Sequence, residues 1–241
     1  MKTIRLLLCI CLAAPALLRA QSGDESDLLL GIAPGMTMRW QQGTLHTTDG
    51  YYDCCSFTGG NGIGLTAGLR ILLPIGGAFH LRGGLSWEVT TSDYTSERKS
   101  YPILGQGNTV EYVDLQNDLA VSISALHIEA GFAYRLVDPG LYFTVGPAVT
   151  IPFSPSWKQT EQITGPFGVR YLDGSRSKEL YDLTIPGSWP YVSVRFGAGA
   201  LIPINDAVVL APEMLFAIPV TEFHPDYDWT VSGIDFTIAG M

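Results

Sequence analysis

The stretch LHIEAGFAYRLVDPGLYFTVGPAVTIPF, residues 126–153, decides the fold. Apolar side chains occupy every second position in its first half, at Leu126, Ile128, Ala130, Phe132, Tyr134 and Leu136, with His127, Glu129, Gly131, Ala133 and Arg135 between them. The alternation resumes at Leu141, after the turn-forming residues Asp138-Pro139-Gly140, and continues to Phe153. A period of two on both sides of a tight turn predicts two antiparallel strands.

The same alternation recurs along the rest of the chain. With the hairpin above, it predicts eight strands, over residues 28–40, 63–73, 79–89, 126–136, 141–153, 192–204, 208–220 and 229–241. In the last strand Trp229 and Val231 are out of phase with Ile234 and Phe236. That change of phase predicts a bulge near Gly233, because one extra residue moves the following side chains to the other face.

Short and long connections alternate between these strands. The short ones contain Gly76-Gly77, Asp138-Pro139-Gly140 and Asn205-Asp206, which are typical of tight turns. The long ones are residues 41–62, 91–119, 154–190 and 221–228, and we expect strand extensions in them around Thr109–Asp114 and Gly168–Tyr171. Short periplasmic turns and long external loops are typical of outer-membrane barrels. The sequence therefore predicts an all-β fold, an eight-stranded antiparallel up-and-down transmembrane β-barrel.

Composition and the N-terminus agree with export to a membrane. Residues 1–20 combine a basic start with an apolar run from Leu6 to Ala14 and a cleavage-like Leu18-Arg19-Ala20, which predicts a signal peptide followed by a barrel at 21–241. Mean hydropathy is +0.21 and only 15% of residues are charged. Without the signal, 11 basic residues face 23 acidic ones, which argues against nucleic acid as a partner. We expect outer-membrane lipid and lipopolysaccharide around the barrel.

The type of polar residue indicates which face of the barrel is inside. One face of the eight strands has no charged residue, whereas the other has arginines and carboxylates, no lysine, and many small residues. A solvated exterior usually includes lysine, and a packed lumen favours arginine–carboxylate pairs. We expect a polar plug in the lumen from Arg39, Arg70, His80, Arg82, Glu88, His127, Glu129, Arg135, Arg195, Glu213 and Asp235. A narrow channel through these charges and a soluble lipocalin-like binder of small ligands remain alternatives.

The hairpin at residues 126–153 also resembles a known group of proteins. A strand that ends in an aromatic-basic pair, Tyr134-Arg135, is followed by Leu-Tyr-Phe-x-x-Gly-Pro at residues 141–147. This arrangement is similar to the outer-membrane barrel family of Bacteroidetes-like bacteria, which includes the PorT-like proteins and is related in shape to the OmpA and OmpX barrels. The resemblance implies an outer-membrane barrel without a shared enzymatic activity. Members often end on an aromatic residue, whereas this chain ends on Met241, which leaves Phe236 as the nearest candidate.

Few residues could carry chemistry outside the lumen. A barrel hydrolase of lipid or peptide would need a histidine base near the rim, and His224 with Asp226 and Asp228 in the last loop is the only such group. No G-x-S-x-G or H-E-x-x-H motif is present. We therefore expect no enzyme, no cofactor and no metal. Cys54 and Cys55 in the first loop are the only cysteines after the signal. Export favours their oxidation, either to a disulfide between them or to bonds with another chain, and we expect the disulfide between them.

Aromatic residues cluster near the predicted strand ends. They are Trp40, Trp87, Tyr101, Phe153, Trp157, Trp189, Tyr191, Phe223, Tyr227 and Trp229. We interpret most of them as girdles at the two membrane interfaces. The remaining loop aromatics, together with the loops themselves, predict contact with a protein or glycan partner. The function predicted from the sequence is thus structural or interactive, with a plugged lumen.

Overall fold

The part of the chain that the structure describes forms twelve strands, all paired antiparallel. The computed structural model describes residues 28–49, 52–104, 109–136, 140–153, 155–166, 168–184, 189–223 and 229–241. The strands are β1 (Leu29–Asp49), β2 (Tyr52–Gly76), β3 (Phe79–Thr95), β4 (Lys99–Leu104), β5 (Val110–Arg135), β6 (Leu141–Pro152), β7 (Ser156–Gly165), β8 (Ser177–Thr184), β9 (Tyr191–Ala200), β10 (Ile202–Asn205), β11 (Val208–Pro219) and β12 (Thr230–Gly240). The expected all-β, antiparallel architecture is confirmed. Among the described residues, no helix has the length and apolar character needed to cross a membrane.

Eight of these strands pair in a ring. The order runs β3–β2–β1–β12–β11–β9–β6–β5, and β5 pairs in turn with β3. The first and last strands of the chain are therefore neighbours, with Met36 opposite Phe236 and Arg39 opposite Gly233. A ring of this kind has an inner face and an outer face, and each strand contributes alternate residues to both.

The outer face of the ring is apolar and the inner face carries the polar residues. On β3 burial alternates residue by residue, with Leu81 and Val89 exposed and Arg82 and Glu88 buried. Leu65 on β2 is 68% exposed, whereas His127 on β5 is 2% exposed. The side chains that hydrophobic burial would place inside a soluble protein are thus turned outward.

Three predicted loops are largely strands, which corrects the sequence-based boundaries. β1 and β2 continue their ladder to the pair Asp49 and Tyr52, β4 pairs with the start of β5, and β7 pairs with both β5 and β8. Backbone hydrogen bonds extend these hairpins without an outward apolar face, so the alternation that a lipid-facing strand shows does not mark them in the sequence. They all project from one end of the ring, called here the hairpin end. The opposite end, with the turn at Gly76-Gly77, is called the turn end.

Three finer expectations have different outcomes. The extension expected at Thr109–Asp114 is present, because β5 begins at Val110. Residues Gly168–Tyr171, in contrast, form a turn region between β7 and β8 rather than a strand. The predicted strand 192–204 is interrupted at Leu201, so it divides into β9 and β10.

The bulge predicted near Gly233 is wrong. The register between β1 and β12 is continuous from Gly35 and Thr237 to Gln42 and Thr230. Trp229 and Val231 therefore lie on the same inner face as Asp235, and both are buried. The change of phase in the sequence reflects an interior that becomes apolar towards the hairpin end, where these two residues join a buried cluster.

Candidate functional site

The interior of the ring holds a network of buried charged side chains. Every strand of the ring contributes at least one polar group: Arg39 from β1, Arg70 from β2, Arg82 and Glu88 from β3, His127 and Glu129 from β5, Tyr142 and Thr150 from β6, Arg195 from β9, Glu213 from β11, and Asp235 from β12. All of them are buried. Four arginines thus meet four carboxylates, which balances the charge of the network without a bound ion.

The half of the network nearer the hairpin end centres on Arg39. Its Nε donates to Oε1 of Glu88 over 2.9 Å, and its Nη2 lies 2.7 Å from Oδ1 of Asp235. Asp235 also faces Arg195, whose Nη1 is 3.2 Å from Oδ2. Arg39 and Glu88 sit on either side of β2, so this pair bridges two strands that are not neighbours. Bidentate and shared pairs of this kind tie strands together with fixed geometry.

Nη1 of Arg195 contacts Oε1 of Glu129 and so joins the two halves, and His127 lies between Arg195 and Glu88 as a neutral imidazole. Nη2 of Arg195 lies 3.0 Å from its Nδ1, and a guanidinium can only donate, so Nδ1 accepts. The ring proton is then on Nε2, which donates to Oε2 of Glu88 over 2.9 Å. The Thr150 hydroxyl lies 2.8 Å from Nδ1 on the other side. His127 is therefore held by three partners, with no site left for a second proton.

The half nearer the turn end surrounds Glu129 and Glu213. Nη1 of Arg82 donates to Oε2 of Glu129 over 2.7 Å, and its Nη2 donates to Oε2 of Glu213 over 2.8 Å. Arg70 faces the same two carboxylates, with Nη1 3.2 Å from Glu129 and Nε 3.3 Å from Glu213. Tyr142 completes the set by donating its hydroxyl proton to Oε1 of Glu213 over 2.7 Å.

The structure brings together most of the residues that the sequence nominated for the lumen. Ten of the eleven are buried, and nine of those belong to the ion-pair chain or its hydrogen bonds. His80 is buried as well. Arg135 is only half-buried at the last residue of β5, near the turn end, where the strand ends. Tyr142 and Thr150 were not predicted from the sequence as part of the network. Their positions on the polar face of the strand could have identified them.

An aromatic cluster closes the interior above the network. It contains Phe57, Tyr94, Leu119, Val121, Ile123, Ala125, Trp157, Tyr191, Phe223, Trp229 and Val231. Trp229 is at its centre, with ring centroids 4.9 Å from Phe223 and 5.0 Å from Trp157. The assignment of Trp157, Tyr191, Phe223 and Trp229 to an interface girdle is therefore wrong, since packing inside the ring buries them. Trp40, Trp87, Tyr101, Phe153 and Trp189 are exposed, and Tyr227 lies outside the described residues.

A smaller apolar cluster closes the turn end. It consists of Ala33, Leu72, Ala133, Tyr142, Leu201, Ala211, Ala239 and Met241, and the four alanines fit a narrow interior. Between the network and the aromatic cluster a void of about 10 Å³ remains, lined by Arg39, His127, Thr150 and Tyr191 among others. That volume holds about one water molecule. Among the described residues, the interior between the network and the aromatic cluster is thus filled and has no chamber for a substrate.

Glycines provide the space for the long arginine side chains. A β-carbon at Gly84 would collide with Nη1 of Arg70, and one at Gly233 would collide with Nη1 of Arg39. Gly233 pairs with Arg39 across the β1–β12 seam. These two guanidinium groups therefore lie against bare backbone, which is one reason for glycine on the polar face.

Several nominated residues fall outside the described part of the structure. His224, Asp226 and Asp228 lie in residues 224–228, which are not described, so the acid–base group proposed there is a prediction from sequence. The side chains of Cys54 and Cys55 are not described either, and the disulfide between the two cysteines stays a prediction. Within the described ranges, no group of three or more histidine, cysteine, aspartate or glutamate side chains is placed to hold a metal ion.

Comparison with known proteins gives only distant likenesses. No protein-family model and no curated protein matches the sequence. Among solved structures, Ail, the attachment invasion locus protein of Yersinia pestis, crystallised with the heparin analogue sucrose octasulfate, is 13% identical, with a TM-score of 0.33 over 90% of this chain and 99% of Ail. The outer membrane protease OmpT from Escherichia coli is 10% identical, with a TM-score of 0.35 over 92% of this chain and 97% of OmpT.

A third likeness is to the translocator domain of the autotransporter NalP from Neisseria meningitidis. It is 11% identical, with a TM-score of 0.21 over 99% of this chain and 94% of that domain. Similarity at this level assigns no activity, so the function of the chain has to follow from its own geometry.

Proposed function

We propose that this chain is an integral outer-membrane protein whose ring of eight strands is a transmembrane β-barrel, with a structural or interaction role and no enzymatic activity of its own. One observation carries the proposal: the polarity of the ring is the reverse of that of a soluble protein. Its arginines and carboxylates are buried, and its leucines, isoleucines and phenylalanines are exposed. Only a hydrocarbon surrounding makes this arrangement favourable.

The exposed apolar surface extends over every strand of the ring. Representative residues, one from each strand, are Met36, Leu65, Leu85, Ile128, Phe143, Phe196, Met214 and Phe236, all exposed. A monomeric soluble protein rarely exposes a contiguous apolar patch of more than a few hundred Å². A lipocalin-like binder would instead place these residues inside and the arginines outside, so the structure favours the membrane over the soluble alternative.

The height of this surface fits a bilayer. On β3 the exposed apolar residues run from Phe79 to Val89, about 33 Å along the strand and about 25 Å along the barrel axis at the usual strand tilt. An exposed aromatic pair marks each boundary. Phe79 and Tyr134 lie 5.0 Å apart near the turn end, and Trp87 and Phe153 stack at 5.2 Å near the hairpin end. Such pairs suit the two interfaces.

The hairpin end is then external and the turn end periplasmic, following the usual asymmetry of outer-membrane barrels. The partner surface is therefore formed by residues 41–62, 91–119, 154–190 and 221–228, which together contain 14 acidic and 6 basic residues. A polyanion such as the heparin analogue bound by Ail would be repelled by that balance. We infer a protein or an uncharged glycan as the loop partner, and lipid with lipopolysaccharide around the barrel.

The filled interior argues against the channel alternative and against chemistry inside the barrel. Both ends are closed by apolar clusters, and the balanced ion pairs leave a void of only about 10 Å³, so a conducting path would require the network to break. Thr150, His127 and Glu88 are hydrogen-bonded in a row. They resemble a nucleophile–base–acid series, but burial on all sides keeps substrate away from them.

Membrane fractionation with a heat-modifiability gel tests the proposal. We expect the mature protein in the outer-membrane fraction, with a band that migrates differently before and after boiling, because a folded barrel resists detergent until heated. A protein that stays in the aqueous fraction without a mobility shift would refute the transmembrane assignment.

A further inference from the structure

Three strands continue above the ring, at the hairpin end, as a wall whose outward face carries a groove. β3, β5 and β7 form this wall, with β5 in the middle. A groove of about 340 Å³ crosses all three strands and is called here the wall groove. It is lined by two rows of directly opposed residues, first Asp93, Ala120 and Lys158 and then Thr95, Asp118 and Thr160. Opposed residues share a face of a sheet, so these side chains project from the same side.

The inner face of the wall shows which side that is. Tyr94, Leu119 and Trp157 alternate with the groove residues along the three strands, and all three are buried in the aromatic cluster. Successive side chains of a strand point to opposite faces. The groove therefore lies on the outside of the barrel, and the packed aromatic cluster behind it keeps its three strands in place.

The floor of the wall groove is a small side chain beside a fixed carboxylate. Ala120 and Asp118 are half-buried, and the methyl group of Ala120 leaves the space that forms the groove. Oγ1 of Thr95 donates to Oδ1 of Asp118 over 3.0 Å, and Nε2 of Gln162 donates to Oδ2 over 2.8 Å. A carboxylate oxygen can accept more than one hydrogen bond. Asp118 thus offers a positioned acceptor to a ligand with hydroxyl groups.

The sides of the groove determine the charge of the ligand. Asp93 and Lys158 are exposed and stand on strands about 10 Å apart. Nζ of Lys158 lies 2.8 Å from Oε2 of Glu179, so the carboxylates of Asp93 and Asp118 leave the groove with a negative net charge. This charge repels anionic ligands. A neutral sugar ring fits better, because its hydroxyl groups both donate to carboxylates and accept from the ammonium group and the threonines.

The composition of the wall disfavours a protein as the occupant. The outward positions around the groove are Thr91, Asp93 and Thr95 on β3, Asp118, Ala120 and Ser122 on β5, and Ser156, Lys158 and Thr160 on β7. Protein interfaces depend on buried aromatic, aliphatic or arginine anchors, and these positions offer nothing apolar larger than a methyl group. The volume of the groove is near the lower end of the range of about 300–1,000 Å³ for small-ligand pockets.

The groove lies above the lipid headgroups. Val89 is the last exposed apolar residue of β3 in this direction. Asp93 and Thr95 follow it by about 13 and 20 Å along the strand, which is about 10 and 15 Å above the hydrocarbon at the usual strand tilt. The headgroup layer on each side of a bilayer is only about 5–8 Å thick. In an outer membrane, the carbohydrate of lipopolysaccharide is what reaches beyond this layer.

We propose that the wall groove binds an uncharged sugar residue of a lipopolysaccharide molecule that stands next to the barrel in the same leaflet. The lipid anchor of that molecule holds its carbohydrate beside the wall, so a shallow groove is occupied through a high effective concentration. Asp93 and Asp118 accept protons from the sugar hydroxyls, and Lys158 donates to a sugar oxygen. This inference rests on the proposed transmembrane orientation.

The test counts the lipopolysaccharide molecules bound to the full mature chain in detergent micelles by native mass spectrometry. Two probes are compared, lipopolysaccharide with neutral hexoses in its core and lipopolysaccharide truncated to its anionic inner sugars. EDTA is present, so that no divalent cation joins anionic sugars to the carboxylates. We expect the chain to bind the hexose-containing form about tenfold more tightly, because only this form supplies neutral hydroxyl groups at the height of the groove.

Two variants test the groove, each with a matched control. Asp93→Ala/Asp118→Ala should bind both forms equally, whereas Glu97→Ala/Asp173→Ala, which removes the same charge from exposed positions outside the groove, should keep the preference. Ala120→Leu retains every polar group but fills the floor, and it should also lose the preference.

Gln116→Leu is the control for Ala120→Leu. It places the same side chain on β5 beyond Asp118, where it lines no part of the groove, and it should bind like the native chain. The heat-dependent mobility shift confirms that each variant is folded.

The released core oligosaccharide separates a tethered ligand from a free one. It should bind at least about a hundredfold more weakly than the whole lipopolysaccharide, because it lacks the anchor. Equal affinities would identify a soluble glycan as the ligand and overturn the assignment to lipopolysaccharide.

Two other results would overturn the proposal in distinguishable ways. If the native chain shows the heat-dependent shift but binds both lipopolysaccharide forms equally, or if Asp93→Ala/Asp118→Ala and Ala120→Leu keep the preference, the groove proposal alone fails. If the chain shows no shift and stays in the aqueous fraction, the transmembrane assignment fails and the groove proposal fails with it.

Discussion

Arg82 on β3 and Glu213 on β11 form a two-point ion pair between strands that stand four places apart in the ring in either direction. Nε donates to Oε1 over 3.0 Å and Nη2 to Oε2 over 2.8 Å. The pair therefore crosses the interior from one side to the other. Because both groups are buried, the cost of removing them from solvent is offset only while both are present.

Removal of one partner should therefore lower the free energy of unfolding strongly. We expect Glu213→Gln to lower the free energy of unfolding by about 3–5 kcal/mol, since Arg82 and Arg70 lose a carboxylate and remain buried. Urea unfolding in lipid vesicles, followed by tryptophan fluorescence, measures the change. The control is Glu179→Gln, which breaks the exposed 2.8 Å pair with Lys158 and should cost less than about 1 kcal/mol.

The effects of substitutions at Arg82 and Glu213 on the free energy of unfolding should be coupled. In a double-mutant cycle with Arg82→Met and Glu213→Leu, the double variant should be less destabilised than the sum of the single variants, by about 1–3 kcal/mol. The reason is that removing both partners leaves no uncompensated charge from this pair. Additive costs would show that Arg82 and Glu213 act independently, contrary to the observed geometry.

The outward apolar face can be tested with a charge near its middle. Leu69 is half-exposed and lies between Ile32 and Leu85 of the neighbouring strands. In a membrane, Leu69→Arg should cost about 2–4 kcal/mol, measured by the urea midpoint in vesicles. In a soluble protein the same surface change would stay within about 0.5 kcal/mol. Leu172→Arg, beyond the apolar surface, is the matched control and should be neutral.

Substitution of the glycines that contact the buried arginines should also lower the stability of the fold. Gly84→Ala should destabilise the fold by about 1–3 kcal/mol, because the added methyl group collides with the Arg70 guanidinium inside a filled interior. Gly168→Ala, at a position where a β-carbon meets nothing within 4 Å, should change stability by less than about 0.5 kcal/mol. The comparison uses the same unfolding assay, and equal effects would refute the packing explanation.

The filled interior should not conduct. In planar bilayers we expect the native chain to give no channel steps above the noise, because both apolar clusters and the ion pairs would have to open together. Alanine variants at Arg82 and Glu213 serve as the comparison. Regular steps from the native chain would contradict the plugged interior and revive the channel alternative.

The membrane-facing half of the fold was predictable from the sequence, because alternation there has a strong physical cause. Each outward position on β3, from Phe79 to Val89, must be apolar in lipid, so the period of two is preserved. Beyond Thr91 the hairpins are solvated on one side, and any residue with strand propensity serves. The ladder that continues to Thr95 and resumes in β4 therefore had no hydrophobic pattern to reveal it.

The members of the buried network could be named, but their partners could not. The alternation of apolar and polar residues is enough to place Arg, Glu and His positions on the polar face. The pairing of Arg39 with Glu88, in contrast, depends on the register between strands. Trp229 and Val231 show the opposite case. Their apolar character suggested contact with lipid, but the continuous register places their side chains inside the ring. The interior is apolar at its ends and charged at its centre.

The distribution of charge along the chain has a consequence for how the ring closes. The first two strands contribute only arginines, Arg39 and Arg70, and the last two only carboxylates, Glu213 and Asp235. An unfinished sheet would hold two opposite charges at its two free edges, attracting each other through a medium that screens poorly. Closure of the β1–β12 seam neutralises both. We expect this attraction to guide the final step of assembly, so that the chain selects its own last strand rather than the edge of another molecule.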